Sequence, residues 1–490
     1  MKPSSALLAL AMSLPVFGDS LITQPGKSPL VTIRVVFKTG AAHDPKGKEG
    51  LAALTTAMMA DGGTRKLTYQ QIIDALFPMA VDIRAQVDKE MITFSTETHV
   101  DNLEKFYPIF RDVITDPGWR AEDLTRLKDD AVNAIRTGLR GNNDEELGKE
   151  VLYEQIYAGR SYGHLNRGHV SAIQSITLDD IKLFHKQYFT ATNYTIAVAG
   201  GYPPDFPARL KADLDKLPKT EVISPQVSAP LPVFGRNLVI VDKPTRSVAM
   251  SLGKPIAVKR GDPDYVPLLI AQSWLGQHRS SGVRLFERIR EIRGLNYGDY
   301  AYIEYFPRGM YQFDPDPNLA RQQQIFQIWI RPVQPNTAVF TLRLAIYEWE
   351  RLIKEGMTEA DFERTRNFLS KYVNLLTKTK SAELGYAIDS DFYGTTAYNT
   401  YIKNALRTVT LQQVNRAIRK HLTPDNIQIV LVSNNAQQLK DKLLSGDPSP
   451  MTYNSPKPEE IQAEDKIIEK LDLGLRADKV KILDVKTVFE

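Results

Sequence analysis

The sequence predicts a mixed α+β protein built of two homologous halves, and three observations carry that reading. Strand-like runs, VTIRVVF, MITFSTE and YTIAVAG, then NLVIVD, IFQIWIRP and IQIVLVS, alternate with amphipathic stretches of helical spacing. A succession of strand, helix, helix and strand runs once before residue 205 and again after residue 236. Finally, ITLDDIKLFHKQYFTATNYTIAVAG, from Ile176, lies without a gap on VTLQQVNRAIRKHLTPDNIQIVLVS, from Val409, pairing Thr177 with Thr410 and Asn193 with Asn426. A second pair, RAEDLTRLK from Arg120 and TEADFERTR from Thr358, follows in the same order, so the match exceeds shared helix propensity.

At the amino terminus, Met1 and Lys2 precede the apolar run ALLALAMSLPVF, then Gly18 and Asp19, which is the shape of a signal peptide over residues 1–18. No later segment approaches about 18 uninterrupted apolar residues, the length of a membrane span. The expectation is export to a bacterial periplasm without a membrane anchor. The chain has no cysteine, which excludes disulfides, thiol catalysis, thiolate metal sites and a lipidated cysteine. At 490 residues it exceeds one core, and 42% hydrophobic with 24% charged residues fits neither a disordered nor a membrane-spanning class. A net charge of +4 on 62 basic and 58 acidic residues gives no concentrated attraction for nucleic acid or an anionic membrane.

The halves take residues 30–205 and 237–435. Between them, residues 206–236 read as a linker, because LPKTEVISPQVSAPLPVFGR carries four prolines and no period. Residues 436–490 begin with another Pro- and Ser-rich stretch and read as an extended tail with one docked strand in VKILDVKTVF. Thr177 and Thr410 each suit a helix cap, with Asp180 or Gln413 three residues on.

Two helices bear on chemistry. In GLAALTTAM, from Gly50, residues Leu51, Leu54, Thr55 and Met58 follow one helical face and predict burial. In LFERIREIRG, residues Leu285, Phe286, Ile289 and Ile292 give the buried face and Gly294 the stop, so Arg290 lies in the last turn and Tyr297 beyond it. Spacing alone makes these two ordinary: an arginine complements a helix carboxyl end, and a tyrosine opens a strand in YGDYAYIEYF. Arg284, Arg288 and Arg293 read as a solvated face within reach of Glu287 and Glu291. The seven histidines, His43, His99, His164, His169, His185, His278 and His421, show no close pair with an acid at ligand spacing and read as surface or satisfied loop residues.

Together with the two halves, VVFKTGAAHDPKGKEGLA, YGHLNRG (Tyr162 to Gly168) and SSGVRLFERIREIRGLNYG (Ser280 to Gly298) resemble the pitrilysin/insulinase zinc metallopeptidases from about Thr32 to Ser433. The resemblance implies that each half is a mixed, mostly antiparallel sheet flanked by helices and that the halves form a clam-shell. It also implies a further strand or two before VTIRVVF, for which the sequence leaves little room, so the first sheet is expected to lack an edge strand. Catalytic members carry H-x-x-E-H on one helix, two histidines at i and i+4 binding zinc and the glutamate acting as general base. Those positions fall here on Ala53, Thr56 and Ala57, and the third ligand falls near Asn133 or Ala134. No metal or other cofactor is therefore expected in this chain.

In the family, an arginine and a tyrosine seven residues apart hydrogen-bond the substrate carbonyl, and they match Arg290 and Tyr297. A guanidinium and a phenol are donors that can stabilise a developing oxyanion. The implied function is the non-metal-binding subunit of a heterodimeric zinc endopeptidase acting on oligopeptides or unfolded polypeptides. Such a subunit is inactive alone, with zinc held by a homologous partner. The alternative is a catalytically dead structural or peptide-binding scaffold. A self-sufficient serine hydrolase lacks a G-x-S-x-G elbow.

Overall fold

The computed structural model describes residues 20–222 and 227–490, so the signal peptide expected over residues 1–18 lies outside the described residues. The first sheet contains β1 (Ser20–Pro25), β2 (Leu30–Phe37), β3 (Arg84–Val87), β4 (Ile92–His99) and β5 (Tyr194–Gly200), in the order β1-β5-β2-β4-β3. The second contains β6 (Arg236–Asp242), β7 (Val248–Ile256), β8 (Asp299–Tyr302), β9 (Gln324–Val333), β10 (Ile427–Ser433) and β11 (Leu475–Asp484), in the order β11-β6-β10-β7-β9-β8. Setting β11 aside, the two orders superpose strand for strand. In both, the first strand runs parallel to its neighbour, β1 to β5 and β6 to β10, and the remaining pairs are antiparallel. The duplication read from the sequence is thus present in the topology.

Three expectations about the ends of the halves need correction. The first sheet does not lack its edge strand: β1 pairs with β5 from Ser20↔Thr195 to Pro25↔Gly200. A largely exposed edge strand carries little apolar pattern, which is why LITQP did not announce itself. Residues 206–214, placed in the linker, form the helix Phe206–Leu214, whose Phe206, Leu210 and Leu214 are buried in the first core. The tail is not extended. Its helices Ala436–Leu444 and Glu459–Ile468 bury Leu439, Leu443 and Ile468, and β11 extends the second sheet beside β6. Its last residues return to the first half, where the amides of Val170 and Ser171 donate to the carbonyls of Phe489 (3.0 Å) and Glu490 (2.7 Å).

Strands β5 and β10 are buried on both faces, which explains their unbroken apolar sequences. Alternate residues serve different cores. Ile429 and Leu431 of β10 face their own half's helices, whereas Val430 and Val432 pack with Leu147 and Val151 of the first half's helix Asp144–Ile156. Reciprocally, Ala197 and Ala199 of β5 pack with Leu384 and Ile388 of the second half's helix Lys380–Tyr393. Each half therefore lends a helix to cover the other's sheet. A buried ion pair reinforces the junction, with Arg321 Nε donating to Asp88 at 2.7 Å while its guanidinium lies 3.5 Å from the Tyr305 ring centroid. Among the described residues, no helix is long and apolar enough to cross a membrane.

Candidate functional site

The helix Leu51–Asp61 starts at Gly50, whose φ of 100° lies in the left-handed region. Asp44 accepts from the amides of Gly50 and Ala52, both at 2.7 Å, capping the free amides of the first turn. Its carboxylate also meets His164 Nε2 at 3.1 Å. The YGHLNRG segment closes over this helix start: a Cβ on Gly168 would run into the carbonyl of Glu49, Asn166 donates to Asp88 at 2.8 Å, and Tyr162 donates to Glu90. That segment therefore locks the helix in place.

Leu51, Leu54, Thr55 and Met58 are buried as their spacing predicts, leaving Ala53 and Ala57 on a partly exposed face. Those two carry methyl groups where the family's histidines stand, and Thr56 donates its hydroxyl to the carbonyl of Ala52 at 2.8 Å. The residues at the ligand positions do not fit zinc. Among the described residues, no group of three His, Cys, Asp or Glu is placed to hold a metal ion.

His43 and His278 are buried rather than on the surface, whereas His99 is partly exposed. Burial pushes His43, His185 and His278 down to about 4, so each is neutral at physiological pH. His278 bridges the Tyr302 hydroxyl and the Gln312 carbonyl, both at 2.8 Å. His164 is lowered by burial, whereas the Glu154 carboxylate, 3.5 Å from Nε2 of His169, raises His169.

Arg290 sits in the π-helical turn Phe286–Glu291, and Gly294, at φ 68°, ends the segment as predicted. Its Nη1 donates to the carbonyl of Tyr297 at 3.1 Å, and its guanidinium lies 4.7 Å from the Phe286 ring centroid and 5.5 Å from that of Tyr297. The structure thus brings Arg290 and Tyr297 together, with the tyrosine side chain 75% exposed. Beneath them, burial drives the Asp299 carboxyl well above the usual carboxylate range, against the hydrogen bond from Asn296 and the charges of Arg290 and Arg331.

Arg284, Arg288 and Arg293 are not a solvated face and do not pair with Glu287 or Glu291. Arg284 and Arg288 each donate through Nε to Glu348, at 2.7 Å, on the helix Ala338–Glu355. Arg293, 3% exposed, reaches Asp465 at 2.9 Å and Glu464 at 2.7 Å, and Arg288 joins it on Glu464. These acids lie on the helices Ala338–Glu355 and Glu459–Ile468, which no local spacing could reveal. Asp44, by contrast, had a sequence signal, an acid shortly before a helix that has no capping side chain of its own.

Comparison with known proteins agrees with this geometry. The family described as Insulinase (Peptidase family M16) matches residues 21–164, and Peptidase M16 inactive domain matches residues 175–369. The Non-peptidase homolog YmxG of Helicobacter pylori is 22% identical over 426 residues, covering 84% of this chain and 90% of that protein. The Uncharacterized zinc protease YmxG of Bacillus subtilis is 21% identical over 399 residues, covering 81% and 91%. The crystal structure of a peptidase M16 inactive domain from Pseudomonas fluorescens superposes with a TM-score of 0.75 at 22% identity, covering 85% of this chain and 96% of that one. With both family domains matched in order and the same two-sheet fold, the chain belongs to the M16 peptidase family, as a member without that family's zinc-binding residues.

Proposed function

We propose that this chain is the periplasmic, non-metal-binding member of a paired M16 endopeptidase and that it cleaves nothing alone. One observation carries the reading. The ligand and base positions hold Ala53, Thr56 and Ala57, yet the Arg290 guanidinium lies 5.5 Å from the ring centroid of the exposed Tyr297 at a helix end. The name of the Helicobacter pylori relative, a non-peptidase homolog, is consistent with an inactive chain.

In this account the zinc and the general base belong to a homologous partner, and the polarising chemistry of the metal is supplied there. This chain contributes the Arg290 guanidinium and the Tyr297 hydroxyl, two donors for the carbonyl oxygen of an oligopeptide or unfolded polypeptide. Phe286 and the Tyr297 carbonyl hold the guanidinium in place, so little reorganisation is needed when negative charge develops on that oxygen. In a reconstituted pair, Arg290→Ala is expected to lower turnover by a factor on the order of 100, the cost of losing one oxyanion donor. Unchanged turnover in a pair that still assembles would remove Arg290 from the reaction.

A second reading has its own observation. Arg290 already satisfies the Tyr297 carbonyl and packs on the Phe286 ring, which is structural work needing no substrate. On that reading the chain is a scaffold or peptide-binding subunit, no partner confers cleavage, and binding tolerates changes at Arg290 and Tyr297.

A further inference from the structure

The two halves differ most at one connection. In the first, β3 and β4 are joined by residues 88–91; in the second, the matching β8 and β9 are joined by residues 303–323. Long connections without secondary structure are uncommon inside compact domains and usually serve a function. With the helices Glu359–Leu376 and Lys380–Tyr393, this one walls a cavity of about 100 Å³. Phe306 and Leu319 of the connection and Leu369 and Val373 of the first helix give it apolar sides.

One part of the wall is polar. Arg260 donates through Nε and Nη2 to Glu304 at 2.8 and 2.9 Å, while among the described residues its buried Nη1 has no hydrogen-bond partner and the Asp389 carboxylate stands 3.7 Å away. Around the same walls the protein exposes large apolar side chains. Tyr311 and Phe313 on the connection are 70% and 68% exposed, and Phe368 stacks at 5.1 Å on Tyr372, which lines the cavity. Asp314 meets Lys378 at 3.0 Å, holding this part of the connection beside the end of the helix. A cavity with exposed apolar surface beside it is the form of a binding site.

We propose that the cavity takes a bulky apolar side chain of an extended polypeptide. The flanking residues of the bound chain lie against Tyr311, Phe313 and Phe368. These aromatics continue the apolar surface past the cavity, which a polypeptide can cover and a free small molecule cannot. An anionic group is disfavoured, because Glu304 and Asp389 flank Arg260. The site requires neither zinc nor a partner subunit, so it stands or fails independently of the shared-active-site reading.

The test is fluorescence anisotropy on the full chain alone, using two fluorescein-labelled Gly/Ser-rich peptides that differ only in a central Phe or Ala. The Phe peptide is expected to bind at least about tenfold more tightly, as apolar pockets discriminate side-chain size. The double variant Tyr311→Ser, Phe313→Ser, at exposed positions, is expected to weaken it several-fold, and Leu369→Trp, which fills the cavity, to abolish the preference. Equal binding of the two peptides, undiminished affinity in the double variant, or a preference that survives Leu369→Trp would each overturn the proposal. Should Leu369→Trp fail to fold by circular dichroism, the double variant decides. Competition by N-acetyl-phenylalanine amide at the peptide's own affinity would mark a small-molecule site and overturn the polypeptide assignment.

Discussion

Four arginines stand between residues 284 and 293, and their environments assign them different work. Arg284, Arg288 and Arg293 are consumed by Glu348, Glu464 and Asp465, two of which come from the carboxyl-terminal helix Glu459–Ile468. Among the described residues, Arg290 alone of the four has no acid within ion-pair distance, and it stays beside the exposed Tyr297. Removing one member of a buried ion pair leaves the other charge uncompensated, which costs about 3–5 kcal/mol. Glu464, 2.7 Å from Arg293, would still meet its charge after Asp465→Ala, so that substitution is expected to cost less, about 1–3 kcal/mol in urea unfolding, from the lost Arg293 bond and the freed Tyr453 hydroxyl, now 2.6 Å from Asp465. A cost below about 1 kcal/mol would show that the cluster does not hold the Arg290 turn. The positions of Arg290 and Tyr297 at a helix end were legible in the sequence, since Gly294 and the apolar spacing mark that end locally. The destinations of their neighbours were not, because partners at residues 348, 464 and 465 leave no trace in i,i+4 spacing.

At the scale of elements, legibility followed local signal. Thr177 and Thr410 each accept from the amide three residues on, at 3.2 and 3.3 Å, while Asp180 and Gln413 reach back to the cap amides at 2.8 and 2.9 Å. These are two copies of one capping box, as the repeat predicted. Thr177→Ala and Thr410→Ala are each expected to cost about 1 kcal/mol in chemical unfolding, the usual value of a cap. A marked inequality between them would mean that the two copies no longer do the same work. Strands buried on both faces, β5 and β10, were equally plain. The short strand β3 and the edge strand β1 were not, since four residues or a mostly exposed run carry too little pattern to stand out. The change from α to π geometry at Phe286–Glu291 likewise has no signature in residue spacing.

For the whole molecule, the duplication foretold two similar sheets but not how they meet. Helices Asp144–Ile156 and Lys380–Tyr393 each leave their own half to cover the other's sheet, and the tail joins both halves through β11 and the contacts at Val170 and Ser171. These are tertiary pairings between segments hundreds of residues apart, which helical periodicity alone cannot assign. They make one braced body that presents Arg290 and Tyr297 outward while offering nothing at Ala53, Thr56 and Ala57 that could bind zinc. The central claim is that such a body completes the active site of another chain. It is tested most directly by purifying the native complex from its own host through a tag on this chain, identifying what co-elutes, and assaying chelator-sensitive cleavage of a quenched peptide. The account predicts a stoichiometric H-x-x-E-H partner and an activity that neither chain shows alone. A complex without zinc or cleavage, or no such partner at all, would contradict it and leave Arg290 and Tyr297 as parts of the fold.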